Sequence, residues 1–438
     1  MDSFLWLLYE CGMGLALLVA GPFMLARRGS HYLPTLAGRL GGGAAGRPGG
    51  GTLWLHAVSV GEVGVAATLA RALPADIPLL VTTVTPTGQA LAQRILGERA
   101  EVAYLPFDLG PAVARFWRRF SPAALILIEG DYWPLVLREA RRRGVPVAVV
   151  NGRVGDRSFA RMRRIRPLAG RLFAGIEHFG VQTAGDGARL AALGIDPIRL
   201  TVTGNLKFDT AEPAEKGDLA AALRRLAAGR PVLVAGSTMA GEEEQILAAF
   251  AGLGGGRRAL LLLAPRHPER WNEVERRLRQ SGLEVMRRSA LDRQAAVPDP
   301  DVVLLDSMGE LAALYSLAAA VFIGGTLVPT GGHNPLEPAR YGVPIAAGPS
   351  LHNFREMAEL FDRAGAWQRV SDAAGLGRTW ERWLADPEEA RRQGDRAAAL
   401  VRENRGALGR TLEMLAPLLA QLSAGGPAVP AARAETGG

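Results

Sequence analysis

Short apolar runs recur along this chain, in two series of six, and they constrain its fold more than any other feature. The first series covers 52–58, 77–83, 101–105, 124–128, 145–150 and 178–182. After a polar stretch at 209–218 that contains Pro213, the second covers 232–236, 259–264, 283–287, 302–306, 320–324 and 343–347. The runs are continuous rather than alternating and too short for core helices. They read as strands buried on both faces, as in parallel sheets. Ala-, Arg- and Leu-rich helical stretches separate them. Two βα arrays in series predict an α/β chain of two doubly wound domains. The length of 438 residues agrees, being too long for one ordinary core.

The first 28 residues stand apart. Positions 4–26 are nearly all apolar, with Glu10 the only charge, and Arg27 and Arg28 follow at once. Twenty-odd such residues suffice for a bilayer-crossing helix. The positive-inside rule would leave the rest of the chain cytoplasmic. A cleaved signal peptide would want a basic start and a small-residue cleavage site, and neither is clear. Gly12, Gly14, Gly21 and Pro22 weaken the helix, so an interfacial anchor or a buried hairpin is an alternative. The expected organisation is an anchor at 1–28, a Gly-rich linker at 41–51, domains at 52–208 and 225–424, and a disordered tail at 425–438.

Composition excludes several classes. Hydrophobic residues at 48% and charged residues at 21% rule out a mainly disordered chain. The single cysteine, Cys11, excludes a disulfide framework and any Cys-based cluster. There is no G-x-G-x-x-G after the first run, no P-loop, no H-E-x-x-H and no G-x-S-x-G elbow. The six histidines are dispersed, so no metal centre is expected. A net charge of +8 does not require nucleic acid, because a membrane surface or a phosphorylated substrate would serve. Lysine occurs only at Lys207 and Lys216.

Ligands of open α/β sheets bind beyond the strand C-termini, so the residues after each run are the candidates. The first run leads into His56-Ala57-Val58-Ser59-Val60-Gly61-Glu62, where Glu62 either complements a helix dipole or serves as a general base. Glu129-Gly130-Asp131-Tyr132-Trp133-Pro134 follows the fourth run. There, Asp131 is either a helix cap or, with Glu129, part of an acidic lining for an acceptor hydroxyl. Seven arginines crowd 153–171, among them Arg153, Arg157 and Arg161. They form either a solvated face or a site for lipid or sugar phosphates.

In the second array, Gly236-Ser237-Thr238 suits a phosphate-binding turn before the acidic run Glu242-Glu243-Glu244. Arg266 and His267 follow the next strand, and Met308-Gly309-Glu310 follows another. Gly324-Gly325-Thr326 and Gly331-Gly332-His333-Asn334-Pro335-Leu336-Glu337 bring backbone close to a ligand. There Glu337 has the chemistry to hold ribose hydroxyls.

The motifs HAVSVGEV, TTVTPTG, YLPFD, the Trp-Pro turn, TVTGNLKFD, GST, PRHPER, MGEL and GGHNPLEPA, in that order, resemble the bacterial 3-deoxy-D-manno-octulosonic acid (Kdo) transferase family. The resemblance runs from His56 to Pro349. It implies a GT-B fold, two Rossmann-like domains facing a cleft, and an inverting transfer of Kdo from CMP-Kdo to a phosphorylated lipid A precursor. It implies no cofactor and no metal, and a place on the cytoplasmic face of the inner membrane, against its lipid. Glu62 would be the catalytic base. The donor would be held by Lys207, Gly236, Ser237, Thr238, Arg266, His267, Met308, Gly309, Glu310, Gly332, Asn334 and Glu337. Glu129, Asp131, Arg153, Arg157 and Arg161 would meet the acceptor. Gly130 and Asp131 depart from the family's Glu-Thr-Glu pattern, which bears on acceptor positioning. The competing expectations are a GT-B transferase with another nucleotide sugar, and a membrane-tethered binder of lipid A or nucleotide without catalysis.

Overall fold

The computed structural model of the chain describes residues 2–42, 51–209, 217–291 and 299–423. The expected linker lies largely outside these residues and the expected tail wholly so. The described residues fall into two compact units, one within 1–211 together with 405–438, the other within 212–404.

The first unit is built on seven strands: β1 (Leu53–His56), β2 (Leu79–Thr83), β3 (Ala100–Tyr104), β4 (Ala124–Ile128), β5 (Val147–Gly152), β6 (His178–Val181) and β7 (Leu200–Val202). They form one sheet in the order β3-β2-β1-β4-β5-β6-β7, with every neighbouring pair parallel. The second unit carries β8 (Val232–Thr238), β9 (Leu260–Pro265), β10 (Val285–Arg287), β11 (Val302–Leu304), β12 (Ala318–Ile323), β13 (Ile345–Ala347) and β14 (Gln368–Arg369). Its sheet is also parallel throughout, in the order β10-β11-β9-β8-β12-β13-β14.

All twelve apolar runs are strands. Their continuity has a simple cause, visible in β1. Leu53 and Leu55 enter the core on one face of the sheet and Trp54 the core on the other, so no position is left for a polar side chain. Removing a leucine from such a position costs about 2–5 kcal/mol. The runs did not show β7 and β14. Both are short sheet-edge strands, and Thr201 and Val202 are exposed.

Six helices position the site and the N-terminal segment: α1 (Asp2–Tyr32), α2 (Val60–Ala72), α3 (Pro134–Arg142), α4 (Asp156–Arg164), α5 (Glu243–Leu253) and α6 (Ala407–Ser423). α6 corrects the expected domain boundary at 424. It packs on the first unit, where Ala407, Leu415 and Leu418 join the core beneath β1 and β4. The Asp209 carboxylate caps it by accepting from the amides of Gly406 at 2.9 Å and Leu408 at 2.6 Å. An amphipathic helix declares that it has an apolar face, but its sequence does not say which core receives that face.

Candidate functional site

The strand order reverses between β1 and β4 in the first unit and between β8 and β12 in the second. Such a reversal opens a crevice at the strand C-termini. The candidate residues gather at these two places.

In the first unit, Ser59 caps α2 and Glu62 lies in its first turn. Ser-x-x-Glu is a capping box by sequence, and part of that role is realised. The Glu62 carboxylate accepts from the Val58 amide at 2.8 Å and from the Ser59 hydroxyl at 2.7 Å. Capping does not exhaust its chemistry. Burial raises its pKa from 4.5 to about 7 against those two hydrogen bonds, with the charges of Glu129 and Asp131 adding to the rise. A carboxyl poised near neutrality suits a general base.

Glu129 follows β4 directly, in the left-handed region at φ +66°, and its carboxylate is buried. Lys207 Nζ donates to Oε1 at 2.7 Å, Arg153 Nε to Oε2 at 3.1 Å, and Asn151 Nδ2 to Oε1 at 3.4 Å. Lys207, expected at the donor, is thus a neighbour of Glu129 in the first unit. Asp131 reaches solvent; partial burial, then the Glu129 charge, raises its carboxyl while Arg153 opposes. At Gly130 a side chain would begin 3.0 Å from the Arg153 carbonyl, so the missing hydroxyl of the family pattern goes with a close backbone approach. Arg157 and Arg161 are exposed on α4, a helix with no buried residue.

Three residues absent from the sequence-based site assignment, His56, Trp133 and Asn151, complete this part. His56 is buried. Its Nε2 accepts from Trp133 Nε1 at 3.0 Å, and its Nδ1 stands 2.9 Å from Thr82 Oγ1. Tryptophan only donates, so Nε2 is unprotonated and the ring is the neutral Nδ1–H tautomer. Burial agrees, lowering its pKa to about 4. Asn151, at φ +54°, accepts from the Leu206 amide at 2.9 Å and so fixes the segment that carries Lys207. The available signals were a histidine ending the first strand and an asparagine ending the fifth.

In the second unit, Gly236, Ser237 and Thr238 are the last residues of β8, where a turn was expected. The register shifts there, with Ser237 at φ +58°. Gly236 must lack a side chain, because a Cβ would overlap Tyr315 Oη. Thr238 is fully buried and donates to Glu243 at 3.0 Å, so its hydroxyl is spent on the fold. Glu243 in turn holds Arg270 through two bonds of 2.8 and 3.0 Å.

The largest departure from expectation is Glu242. This buried carboxylate accepts from four amides, those of Met239 at 3.1 Å, Gly325 at 2.6 Å, Thr326 at 3.0 Å and Leu327 at 2.9 Å. The amides after β12, expected to bring backbone close to a ligand, are bound to the protein's own anion, which gives the loop its shape. Glu310 is similarly engaged, held by Arg288 at 2.9 and 3.2 Å and by Ser307. Gly309 beside it has φ +82°, and Met308 is half exposed.

Arg266, His267, His333, Asn334 and Glu337 do come together. Burial, then the charges of Arg266 and His267, lowers the His333 pKa to about 4. Burial raises the Glu337 carboxyl, opposed by Asn334, Arg340 and Arg266. Asn334 also caps the short helix after it, accepting from the Leu336 amide at 3.1 Å. Gly332, at φ +75°, packs under Leu351 and admits no side chain. The cluster pairs cationic groups with a carboxylate and an amide, a set suited to a phosphate and neighbouring hydroxyls. Among the described residues, no group of three His, Cys, Asp or Glu could hold a metal ion.

A family model described as 3-deoxy-D-manno-octulosonic-acid transferase matches residues 34–210. A 3-deoxy-D-manno-octulosonic acid transferase of Haemophilus influenzae is 36% identical over 404 residues, covering 90% of this chain and 94% of the relative. Among solved structures, a UDP-GlcNAc 2-epimerase from Neisseria meningitidis aligns with a TM-score of 0.55 at 12% identity, over 84% of this chain and 100% of its own. A glycosyltransferase from Rickettsia africae aligns with a TM-score of 0.52 at 12% identity, over 85% and 98%. At such identity these structures speak to the fold alone, which is the GT-B pair of parallel-sheet domains.

Proposed function

The chain belongs to the Kdo transferase family of glycosyltransferases, and from that premise we propose that it moves Kdo from CMP-Kdo to a phosphorylated lipid A precursor in lipopolysaccharide synthesis. The observation that carries the mechanism is Glu62, a carboxyl held near neutrality at the switch point of the first sheet. In this reading the Glu62 carboxylate takes the proton of the acceptor hydroxyl as that oxygen attacks the anomeric carbon. CMP departs from the opposite face, so the configuration inverts. The bond formed is C–O to the acceptor, the bond broken is C–O to the phosphate, and the proton stays on Glu62. A phosphate leaves as an already stabilised anion, so one carboxyl suffices.

Glu129, fixed by Lys207 and Arg153, forms the wall beside the base, and Asp131 reaches toward solvent from the same loop. Arg153, Arg157 and Arg161 offer the acceptor phosphates their counter-charge. In the second unit, Arg266 and His267 attract the CMP phosphate and the Kdo carboxylate, and Asn334 and Glu337 bind the ribose. Ser237, Met308 and Gly309 line the same strand ends. Charge developing on the leaving phosphate is stabilised by groups already oriented, which is where such sites gain most. Helix α1 supplies the membrane anchor, with the two units on the cytoplasmic side of the inner membrane.

The test is mass spectrometry of the product made from CMP-Kdo and a tetraacylated, bisphosphorylated lipid A precursor. A mass increase of one or more Kdo units is the expected result. Transfer from a UDP-sugar alone, or binding of both substrates with no product, would replace this reading with one of its rivals.

A further inference from the structure

Helix α1 satisfies the length and composition of a membrane span over Trp6–Phe23. Two points that flank this stretch, however, meet one face of the first unit: Tyr9 and Glu10 inside the helix, and Arg39 to Gly42 beyond it. Near its start, Tyr9 Oη donates to Asp108 Oδ2 at 2.7 Å. Glu10 Oε1 meets Arg138 at 3.4 Å, and that guanidinium lies 5.0 Å from the Trp6 ring. The Glu10 carboxylate also presses on Gly110, where an added Cβ would lie 2.8 Å from Oε2. After two further short helical turns, Leu33–Thr35 and Leu36–Arg39, the Leu40 carbonyl accepts from Arg115 at 3.2 Å and the Gly42 carbonyl from Arg119. The buried Arg39 donates to the Val84 carbonyl, and the Arg39 carbonyl accepts from the Phe107 amide at 2.7 Å. Gly110, Arg115 and Arg119 belong to one helix, Gly110–Phe120.

Resting on the membrane-anchor reading of α1, we infer that this helix inserts into one leaflet of the bilayer on the side of the first unit without crossing it, and that the chain is back on that side by Arg39. A span would place these two points on opposite sides of the membrane, and both meet the same helix on one side. Length points the same way. A helix rises about 1.5 Å per residue and the hydrocarbon layer is about 30 Å thick. With Tyr9 and Glu10 held at the protein surface, the apolar positions 11–26 supply about 24 Å before Arg27 and Arg28.

The faces of α1 are sorted accordingly. At about 100° per residue, the exposed Leu7, Leu8, Leu15, Leu18 and Val19 fall within a sector of about 120°, and Trp6, Tyr9 and Glu10 lie opposite. The occupant of the exposed sector is acyl chain, because the side chains described there are apolar, the Cys11 thiol among them, while the polar atoms of Tyr9 and Glu10 face the protein. Asp108 makes the docking relevant to the site. It also accepts from the amides of Leu135 and Val136 at 3.1 and 3.2 Å, and so holds the start of α3, immediately after Trp133.

The test uses the full-length chain with Cys11→Ser and a single new cysteine, either Ser3→Cys near the N-terminus or Ile198→Cys on the exposed surface of the first unit. Spheroplasts are treated with a membrane-impermeant maleimide, and membranes are separated from cytosol. The expected result is protein in the membrane fraction, with both cysteines labelled only after permeabilisation. Labelling of Ser3→Cys alone in intact spheroplasts overturns the inference and leaves the anchor reading standing. Protein found in the cytosol overturns both. Independently, a Glu10→Cys, Gly110→Cys pair in the same background is expected to crosslink with a short bis-maleimide in membranes. Absence of that crosslink, with both cysteines reactive, also overturns the inference.

Discussion

The indole N–H of Trp133 donates to Nε2 of His56 across 3.0 Å, joining the start of α3 to the end of β1. Because indole has no acceptor, this contact requires a neutral imidazole. Protonating His56 breaks the bond between the strand that leads to Glu62 and the loop that carries Glu129 and Asp131.

Stability should therefore depend on pH. The folded pKa of His56 is about 4, below its ordinary 6.5. Between these values the unfolded chain binds more protons, so stability rises with pH. The His56 contribution is complete above 6.5 and is lost as pH falls toward 4, with a slope of up to about 1.4 kcal/mol per pH unit. Denaturant unfolding at pH 7 and pH 5 should show a smaller loss for His56→Gln than for the native chain. Equal losses would remove His56 as a source. Trp133→Phe should cost roughly 1–3 kcal/mol at pH 7, by leaving Nε2 buried and unpaired.

For catalysis, Glu62→Gln should lower kcat by roughly 10²–10⁴-fold with little change in either KM, the usual size of a lost general base. The acidic limb of the native pH–rate profile should lie near 7, with activity rising as Glu62 deprotonates. Asp131→Asn removes one of the like charges that raise the Glu62 pKa, so the limb should move to lower pH. A limb that stays in place would separate Asp131 from the base.

Lys207→Met should act on the acceptor. It leaves Glu129 with Arg153 and Asn151 as its remaining partners, and the loop should lose order. The expected effect is a rise in acceptor KM of roughly tenfold, the scale of one charge-assisted hydrogen bond. Initial rates with each substrate varied in turn measure it. A rise confined to the KM of CMP-Kdo would place Lys207 with the donor.

Glu242→Gln should act on the donor. Glutamine turns an NH₂ group toward amides that need an acceptor, costing roughly 1–3 kcal/mol and loosening the loop after β12. Donor KM should rise with acceptor KM unchanged, accompanied by a lower Tm. Unchanged kinetics despite the lower Tm would confine Glu242 to folding.

Much of the architecture was legible in the residues. Parallel strands covered on both faces cannot alternate, so Leu53-Trp54-Leu55 and its counterparts stand out as runs. Glu62 was legible because it directly follows such a strand. Glu242 was not, since three glutamates in a row at a helix start look like a complement to the dipole. Only the folded chain shows the first turned inward to four amides while the second takes Arg270. Lys207 was legible as a rare lysine, but its partner was not. Glu310 looked like a ligand group and is bound to Arg288.

By itself the sequence determined the two βα arrays, the apolar first helix and the strand ends where chemistry gathers, because these follow from local burial and periodicity. Tertiary structure alone decided the pairings: Glu129 with Lys207 across 78 positions, Glu242 with Gly325 across 83, and Trp133 with His56 across 77. It also decided that α6 returns to the first unit and that Glu10, within α1, and Leu40 and Gly42, beyond it, meet one helix. A buried carboxylate or imidazole takes whichever donor the fold brings within about 3 Å, and no pattern along the chain encodes that distance.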